Sequence, residues 1–306
     1  MDKKFENLSI RRVSSWDNAE DKKIYQDFSE RLEKFISKER KTNMGDAGTS
    51  DYLPDLTKDA VIIAYCEGKP AGFAIASDRG IVPKKGHLVG IPEVYVDNKF
   101  RGQGVGKYLM FNLLDIAHEI SGDNDLIVSL SVTSNGPAQR LYESVGFTTD
   151  KRAYIGKIKT PKGLAPAEIA QIKKLSKERM KEYTDNRKEL SDKLWKVSRG
   201  VYSPNSPQDK YVVFQNTCYT GWLLWSYEDT ISLGAIYDVN DRSIDEYAEF
   251  IQKVYVSLKN TKVKDYNNVT RLMMYHVYGV TDKIEAVAKK LGMQPTFDSM
   301  SLYIKK

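Results

Sequence analysis

A glycine-rich turn between a strand and a helix constrains the fold of this chain more than any other feature. The strand-like run 88–96 leads into the segment 101–106, where three glycines alternate with other residues, and then into the helical pattern of 106–120. Because glycine has no side chain, consecutive backbone N–H groups in such a turn can converge on an anion at a helix N-terminus. The segment therefore predicts a cradle for a diphosphate.

The spacing of these glycines argues against two common nucleotide-binding folds. They follow G-x-G-x-G, whereas a Rossmann dinucleotide fold has G-x-G-x-x-G, and the surrounding strands read as hairpins. A P-loop is excluded because no Lys-Ser or Lys-Thr pair follows the glycines. The predicted anion site must therefore belong to a fold other than a Rossmann domain or a P-loop domain.

A second motif begins 34 residues after Arg101, behind another strand-like run. It reads N-x-x-A-x-x-L-Y-x-x-x-G-F over residues 135–147. Together with the R-x-x-G-x-G of 101–106, and in this order, it resembles the GCN5-related N-acetyltransferase (GNAT) family of acyl-coenzyme A-dependent enzymes. Both motifs fall within residues 7–158, whereas residues 160–306 resemble the family only in their order of elements.

The two halves of the chain repeat each other's pattern. Val-Gly-Phe at 145–147 and Leu-Gly-Met at 291–293 lie 146 residues apart, as do the apolar runs 126–128 and 272–274. One repeat of this length indicates duplication of a whole domain and not a solenoid. The length of 306 residues also suits two domains of ordinary size.

The resemblance implies a mixed α/β fold made of two tandem GNAT-like domains. Each would have a central, mostly antiparallel sheet that splays into a V and is flanked by helices. We expect residues 1–158 to form the catalytic, acetyl-CoA-binding domain and 159–306 a degenerate copy. The copy would open with a basic, amphipathic helical segment at 166–197, whose apolar residues recur at three- and four-residue steps.

The second copy is not expected to bind coenzyme A. Its loop, 238–243, contains no glycine and two carboxylates where a diphosphate would lie, and Ala288 stands where the first copy has Tyr142. It would be structural, or it would wall off the acceptor pocket with the aromatic residues Tyr219, Trp222, Trp225 and Tyr227.

The resemblance also assigns roles to single residues. The backbone of the glycine turn would bind the pyrophosphate, and the strand before it would splay so that the pantetheine arm adds beside it. The N–H of Val96 would then polarise the thioester carbonyl. Tyr142 would be the general acid that protonates the departing thiolate. The implied cofactor-binding residues are Val94, Val96, Arg101, Gly102, Gln103, Gly104, Val105, Gly106, Lys107 and Asn135.

Glu93 is our candidate for the general base. An amine is protonated at neutral pH and attacks a thioester only after it loses that proton, which a carboxylate can accept directly or through water. Similar proteins often carry an acidic residue three positions before the one that matches Val96. The alternatives are a carboxylate that only orders substrate or water and, for Tyr142, a core tyrosine of an amphipathic helix.

Composition and charge argue against a membrane protein, a metal site and a nucleic-acid-binding protein. The longest apolar run, 60–66, is far shorter than the roughly 18 to 20 residues that span a bilayer, and the first residues have no apolar signal core, which predicts a cytoplasmic protein without a membrane segment. No histidine or cysteine spacing suggests a metal site. The net charge of +6 arises entirely from 159–199, so we expect no nucleic-acid partner.

The sequence therefore predicts an N-acetyltransferase that transfers an acetyl group from acetyl-CoA to a primary amine by direct attack in a ternary complex. A covalent acyl-cysteine route is disfavoured because neither Cys66 nor Cys218 lies in the motifs. A small-molecule acceptor is favoured, but a polyamine, an amino acid, an aminoglycoside and a protein lysine all remain open, as does the oligomeric state. The alternative is a non-catalytic module that senses acyl-CoA.

Overall fold

The structure, a computed structural model, describes residues 5–40, 53–171, 176–183, 210–215, 218–223, 230–233, 235–237, 243–260, 270–275 and 281–306. The chain divides into two compact units. The first comprises residues 1–150 together with 297–306, and the second comprises 151–296. No helix in the described ranges is long and apolar enough to cross a membrane.

The first unit is a sheet with helices on both faces. Its strands are β1 (Leu8–Arg12), β2 (Asp59–Cys66), β3 (Lys69–Val82), β4 (Gly86–Ile91), β5 (Val94–Val96) and β6 (Leu126–Thr133), and its helices are α1 (Ala19–Arg40), α2 (Val105–Ser121) and α3 (Pro137–Glu143). The strands follow the order β1-β2-β3-β4-β6. All pair antiparallel except β4 and β6, which are parallel.

Strand β2 shows why the sheet is covered on both sides. Its side chains are apolar at every position from 60 to 64, and all five are buried. Ala60, Ile62 and Ala64 belong to the core cluster that contains the buried side chains of α2. Val61 and Ile63 pack on the opposite face, with aromatic side chains of α1. A continuous apolar run is the expected sequence for a strand with two buried faces.

The second unit repeats the same order of elements. It contains the end of β7 (Thr148–Gly156), then β8 (Glu168–Gln171), α4 (Lys177–Tyr183), β9 (Lys210–Gln215), β10 (Cys218–Leu223), β11 (Thr230–Leu233), β12 (Ala235–Tyr237), α5 (Ile244–Asn260), β13 (Arg271–Tyr275) and α6 (Thr281–Lys290). Strands β8, β9, β10 and β12 form an antiparallel sheet, and β11 pairs in parallel with β13.

The predicted fold class is confirmed. In each unit two parallel strands are joined through a helix, β4–α2–β6 in the first and β11–α5–β13 in the second, while the other pairings described within each unit are antiparallel. The apolar runs that repeat at an interval of 146 residues begin at Leu126 of β6 and Leu272 of β13. A parallel pair needs a crossover connection of a dozen or more residues, and both helices supply one.

The closing strands differ from the sequence interpretation, which placed 147–158 with the first half and 297–304 with the second. In the first unit the strand beside β6 is the chain's last one, β14 (Gln294–Ile304), whose residues 297–304 pair antiparallel with 126–133. In the second unit, residues 153–156 of β7 pair with β13. The unit boundaries therefore differ from the predicted 1–158 and 159–306. Each repeat ends in the same kind of strand, so the sequence pattern does not distinguish the two arrangements.

The predicted helical segment at 166–197 is wrong at its start. Residues 168–171 form strand β8, which pairs antiparallel with β9 in the register Glu168 opposite Phe214. The N–H of Ala167 donates to the carbonyl of Lys253, 3.2 Å away, which fixes the chain as it enters the strand. Pairing with β9 thus overrides a weak local helix pattern. Residues 177–183 are helical as predicted, and the rest of the segment, 172–175 and 184–197, lies outside the described residues.

Candidate active site

A break between β4 and β5 opens the sheet of the first unit. Strand β4 pairs with β6 as far as Ile91 opposite Leu130, and Pro92, which has no N–H, then interrupts the ladder. Beyond the break β5 pairs with β3, in the register Val96 opposite Gly72, and leaves the side facing residues 131–133 open. The splay that the family resemblance implied is therefore present. It encloses a cavity of about 480 Å³ lined by residues of β5, β6, α1, α2 and α3.

The backbone of β5 presents polar groups to this cavity. The carbonyl of Glu93 accepts from the N–H of Ile75, and the N–H of Asp97 donates to Ala71, so the odd-numbered positions bond to β3. Backbone groups alternate in direction along an antiparallel ladder, so those of Val94 and Val96 point toward the open side. The Val96 carbonyl is occupied there by the Nε of Arg101, at 3.1 Å. An extended ligand in the cavity can hydrogen-bond to the remaining groups as a further strand would.

The glycine turn closes one end of the cavity. Gly104 has φ +86 and is the N-cap of α2, with no side chain bonded to the first N–H groups of the helix. A Cβ on Gly106 would lie 2.9 Å from Cδ2 of Leu141, so glycine lets α2 pack closely against α3. Uncapped N–H groups at a helix start carry a partial positive charge. The turn fits an anionic diphosphate group.

An ion pair from α1 holds the entry to this turn. Asp97, 8% exposed, accepts from the N–H of Lys99 at 2.9 Å and from Nη1 of Arg31 at 2.6 Å. The guanidinium of Arg101 lies over the ring of Phe35, 5.1 Å from its centroid. Helix α1 therefore fixes the backbone of the turn at one end and the side chain of Arg101 at the other.

Glu93 lies between β4 and β5 and lines the cavity. Burial, and second the negative charge of Glu33, raises the pKa of Glu93 to about 7. Among the described residues its buried Oε2 has no hydrogen-bond partner. A carboxyl group whose pKa lies near neutrality, with an oxygen free to accept a proton, is suited to be a general base.

Tyr142 reaches the same cavity from α3. Its side chain is 7% exposed, and burial raises the pKa of its hydroxyl to about 12, so the hydroxyl keeps its proton at neutral pH. Pro137 at the start of α3 and the contact with the ring of Phe147, 6.1 Å between centroids, fix the helix that carries it. A buried phenol of this kind can donate a proton to an anion formed beside it.

The cavity brings together most, but not all, of the residues singled out from the sequence. Glu93, Val94, Val96, Arg101, Gly102, Gly104, Val105, Gly106, Lys107 and Tyr142 line it. Gln103 does not: its Nε2 donates to the carbonyl of Lys99 at 2.9 Å. Asn135 does not either; it adopts φ +60 in the turn before α3, and its N–H donates to Oε1 of Gln139. Gln103 and Asn135 therefore hydrogen-bond within the two turns beside the cavity and do not line it.

Sequence reasoning missed the wall opposite β5 and the contribution of α1. The missed wall consists of Ser131, Val132, Thr133, Gly136, Pro137, Ala138 and Leu141, and α1 adds Leu32 and Phe35. Leu32 packs against the buried aromatic cluster of α1, whereas Phe35 is 40% exposed and lines the cavity. Periodicity identifies an apolar face, but it does not show whether protein or ligand covers that face.

Comparisons with known proteins agree with this geometry. Residues 22–147 match the model of the acetyltransferase (GNAT) family. A comparison with curated protein sequences gives no significant match.

Solved structures align over nearly the whole chain. A GCN5-related N-acetyltransferase from Sphaerobacter thermophilus is 13% identical, with a TM-score of 0.54 over 98% of this chain and 97% of that one. The GCN5-related glucosamine N-acetyltransferase region of a fungal multi-domain β-N-acetylglucosaminidase is 12% identical, with a TM-score of 0.51 over 97% of this chain and 38% of that one. At this identity the likeness concerns the fold. Residues 22–147 of the chain are therefore similar to the GNAT family of acetyltransferases, and the solved structures show the same fold over nearly the whole chain.

Proposed function

We propose that the protein is an N-acetyltransferase that transfers the acetyl group of acetyl-CoA to the primary amine of a small molecule. The match of residues 22–147 to the GNAT family supports acyl transfer in general. The observation that carries the finer proposal is that one cavity holds a glycine turn for a diphosphate, an open strand edge for an extended arm, a carboxyl with a pKa of about 7 and a protonated buried phenol. When bound, acetyl-CoA supplies a thioester whose carbonyl carbon is the electrophile.

Different parts of the cavity would bind different parts of the cofactor. The N–H groups at the start of α2, with Lys107, would bind the pyrophosphate, because the uncapped helix N-terminus and the lysine are both positive. The backbone of Val94 and Val96 would pair with the pantetheine arm. The same Val96 N–H would donate to the thioester oxygen and stabilise the negative charge that develops there.

Two residues of the chain handle the protons of the reaction. Glu93, in its ionised form, accepts a proton from the substrate ammonium, directly or through water, and frees the nitrogen lone pair. The nitrogen attacks the carbonyl carbon, a C–N bond forms and the C–S bond breaks. The Tyr142 hydroxyl donates its proton to the departing thiolate sulfur. The nitrogen gives up its second proton to the Tyr142 phenolate, directly or through water, and Glu93 returns its proton to solvent, so the products are the neutral amide and the free thiol of coenzyme A.

We further propose that the first unit alone performs this chemistry. The proposal rests on the sequence of the second repeat, whose loop 238–243 contains no glycine; residues 238–242 of this loop lie outside the described residues. Ala288, the counterpart of Tyr142, is fully buried in the core of the second unit. An alanine methyl has no proton to donate.

A thiol-release assay tests the overall proposal. Wild-type protein should release free coenzyme A from acetyl-CoA in the presence of at least one member of a panel of polyamines, amino acids, aminoglycosides and lysine peptides. Binding of acetyl-CoA with no thiol release for any amine would favour the alternative, a module that senses acyl-CoA.

The Tyr142→Phe variant isolates the proposed general acid. We expect turnover to fall about a hundredfold, the low end for loss of a positioned proton donor, while the dissociation constant of acetyl-CoA stays within about twofold of wild type. Steady-state kinetics and calorimetric titration measure the two quantities. Tyr303→Phe, at a tyrosine that is 60% exposed, is the matched control. An unchanged turnover number would remove Tyr142 as the acid.

The pH dependence of the rate isolates the proposed base. Below its pKa of about 7 Glu93 carries a proton and cannot accept another, so kcat/KM should rise with pH until about 7 is passed. Glu93→Gln should lose this rise and lower the rate by about a hundredfold at pH 8. A rise in kcat/KM that is caused by deprotonation of the substrate amine should appear in both the wild-type and the Glu93→Gln profile.

Glu33→Gln provides the control for that profile. The charge of Glu33 is one cause of the raised pKa of Glu93, so its removal should move the midpoint to lower pH while the pH-dependent rise persists. A Glu93→Gln profile that coincides with the wild-type one at full rate would show that another group is the base.

A further inference from the structure

Asp298 is a fully buried carboxylate on the last strand of the chain. Its exposed fraction is 0%, and it lies opposite Val132 of β6 in the antiparallel register. Directly opposed residues of an antiparallel pair project to the same face of the sheet. Val132 lines the cavity, so Asp298 stands beside that wall although 151 positions separate it from the end of the motif at 135–147. A buried carboxylate is costly unless it is hydrogen-bonded, so its partner is informative.

One partner of Asp298 is Ser134, the first residue of the turn that leads from β6 into α3. The hydroxyl of Ser134 donates to Oδ1 of Asp298 at 2.6 Å. The other bonds of this turn are local: the N–H of Gly136 donates to Thr133, and that of Asn135 donates to the side chain of Gln139. The bond to Asp298 therefore ties a locally stabilised turn to the sheet.

That turn forms the wall of the cavity opposite β5. Thr133, Gly136 and Pro137 line it, and α3, which follows, carries Tyr142. Helix α3 has only seven residues, so little besides the turn and its own packing sets its direction. A buried hydrogen bond does not compete with water, and it has a defined geometry.

We propose that Asp298 is a positioning residue of the cofactor site: through Ser134 it holds the 133–137 wall at the distance from β5 that coenzyme A needs. The proposal rests on the proposed function, since it assumes that the cavity binds coenzyme A. It also makes the end of the chain part of the active site, which the motifs at 101–106 and 135–147 do not indicate.

The experiment is a calorimetric titration of the full-length chain with coenzyme A, together with a melting temperature for each variant. Ser134→Ala should raise the dissociation constant about tenfold, the change expected for loss of one buried hydrogen bond. Ser134→Thr, which keeps the hydroxyl, should bind as wild type does. Ser134→Ala combined with Asp298→Ala should bind no more weakly than the worse single variant, because either substitution already breaks the hydrogen bond between them.

A second serine–aspartate pair in the same unit is the matched control. The hydroxyl of Ser77 donates to Oδ1 of Asp59 at 2.5 Å, and neither residue lines the cavity. Ser77→Ala should lower the melting temperature about as much as Ser134→Ala and leave coenzyme A binding unchanged. Unchanged binding in Ser134→Ala would reduce the pair to ordinary core packing and overturn the proposal alone. Failure of the wild type to bind coenzyme A would overturn the proposed function, and this inference with it.

Discussion

Gly104→Glu should abolish binding of acetyl-CoA while the first unit still folds. Gly104 has φ +86, where a residue with a Cβ costs about 1–2 kcal/mol, which a folded domain can tolerate. The carboxylate, by contrast, would stand at the uncapped start of α2, where it would satisfy the free N–H groups and repel a diphosphate. We expect the dissociation constant to rise by at least about a thousandfold, which is the sum of a lost anion site and a like charge placed in it.

Gly80→Glu is the control for backbone strain. Gly80 lies in the same unit with φ +80, and a Cβ there would meet open space. It does not line the cavity. Both variants should therefore lose similar stability in thermal unfolding, and only Gly104→Glu should lose binding in calorimetric titration. Binding by Gly104→Glu at wild-type affinity would show that the turn does not hold the pyrophosphate.

The parts of the site that follow from local sequence could be predicted. The sequence indicates one strand-like run over 88–96, and Pro92 within it cannot continue a ladder, which accounts for the break before the short strand β5. Three glycines ahead of an amphipathic run predict a helix start without a capping side chain, and α2 does begin at Val105 with Gly104 as its N-cap. The pKa of about 7 at Glu93 was not predictable in this way, because it depends on burial and on a charge of α1 sixty residues away.

The parts that depend on tertiary pairing could not be predicted. Strand β8 has apolar residues at positions that also suit a helix, and only its pairing with β9 decides between the two structures. The closing strands β7 and β14 each follow a Gly-containing turn and have similar patterns, so nothing in the sequence states which repeat each one completes. For the same reason Asp298 carries no sequence signal: its role arises from the strand that it faces.

Deletion of residues 297–306 should prevent the first unit from folding and thereby abolish coenzyme A binding. These residues supply a strand of eight residue pairs beside β6. Met300 in that strand is fully buried, and loss of a side chain of this kind alone costs about 2–5 kcal/mol, against a total stability of about 5–15 kcal/mol. Leu302 and Ile304 pack against the same core, and an exposed β6 would present unpaired backbone groups that promote aggregation.

Deletion of only Lys305 and Lys306, both exposed, is the matched control and should leave binding and melting temperature close to wild type. Circular dichroism and titration with coenzyme A distinguish the outcomes, and wild-type binding by the longer deletion would contradict the pairing of β14 with β6. The pairing of β14 with β6 also affects what a fragment that ends at residue 158 can show. Such a fragment lacks β14 as well as the second unit, so its inactivity would not by itself give the second unit a catalytic role. Only point variants in the full chain, such as those at Ser134 and Asp298, separate the contribution of the last strand from that of the unit before it.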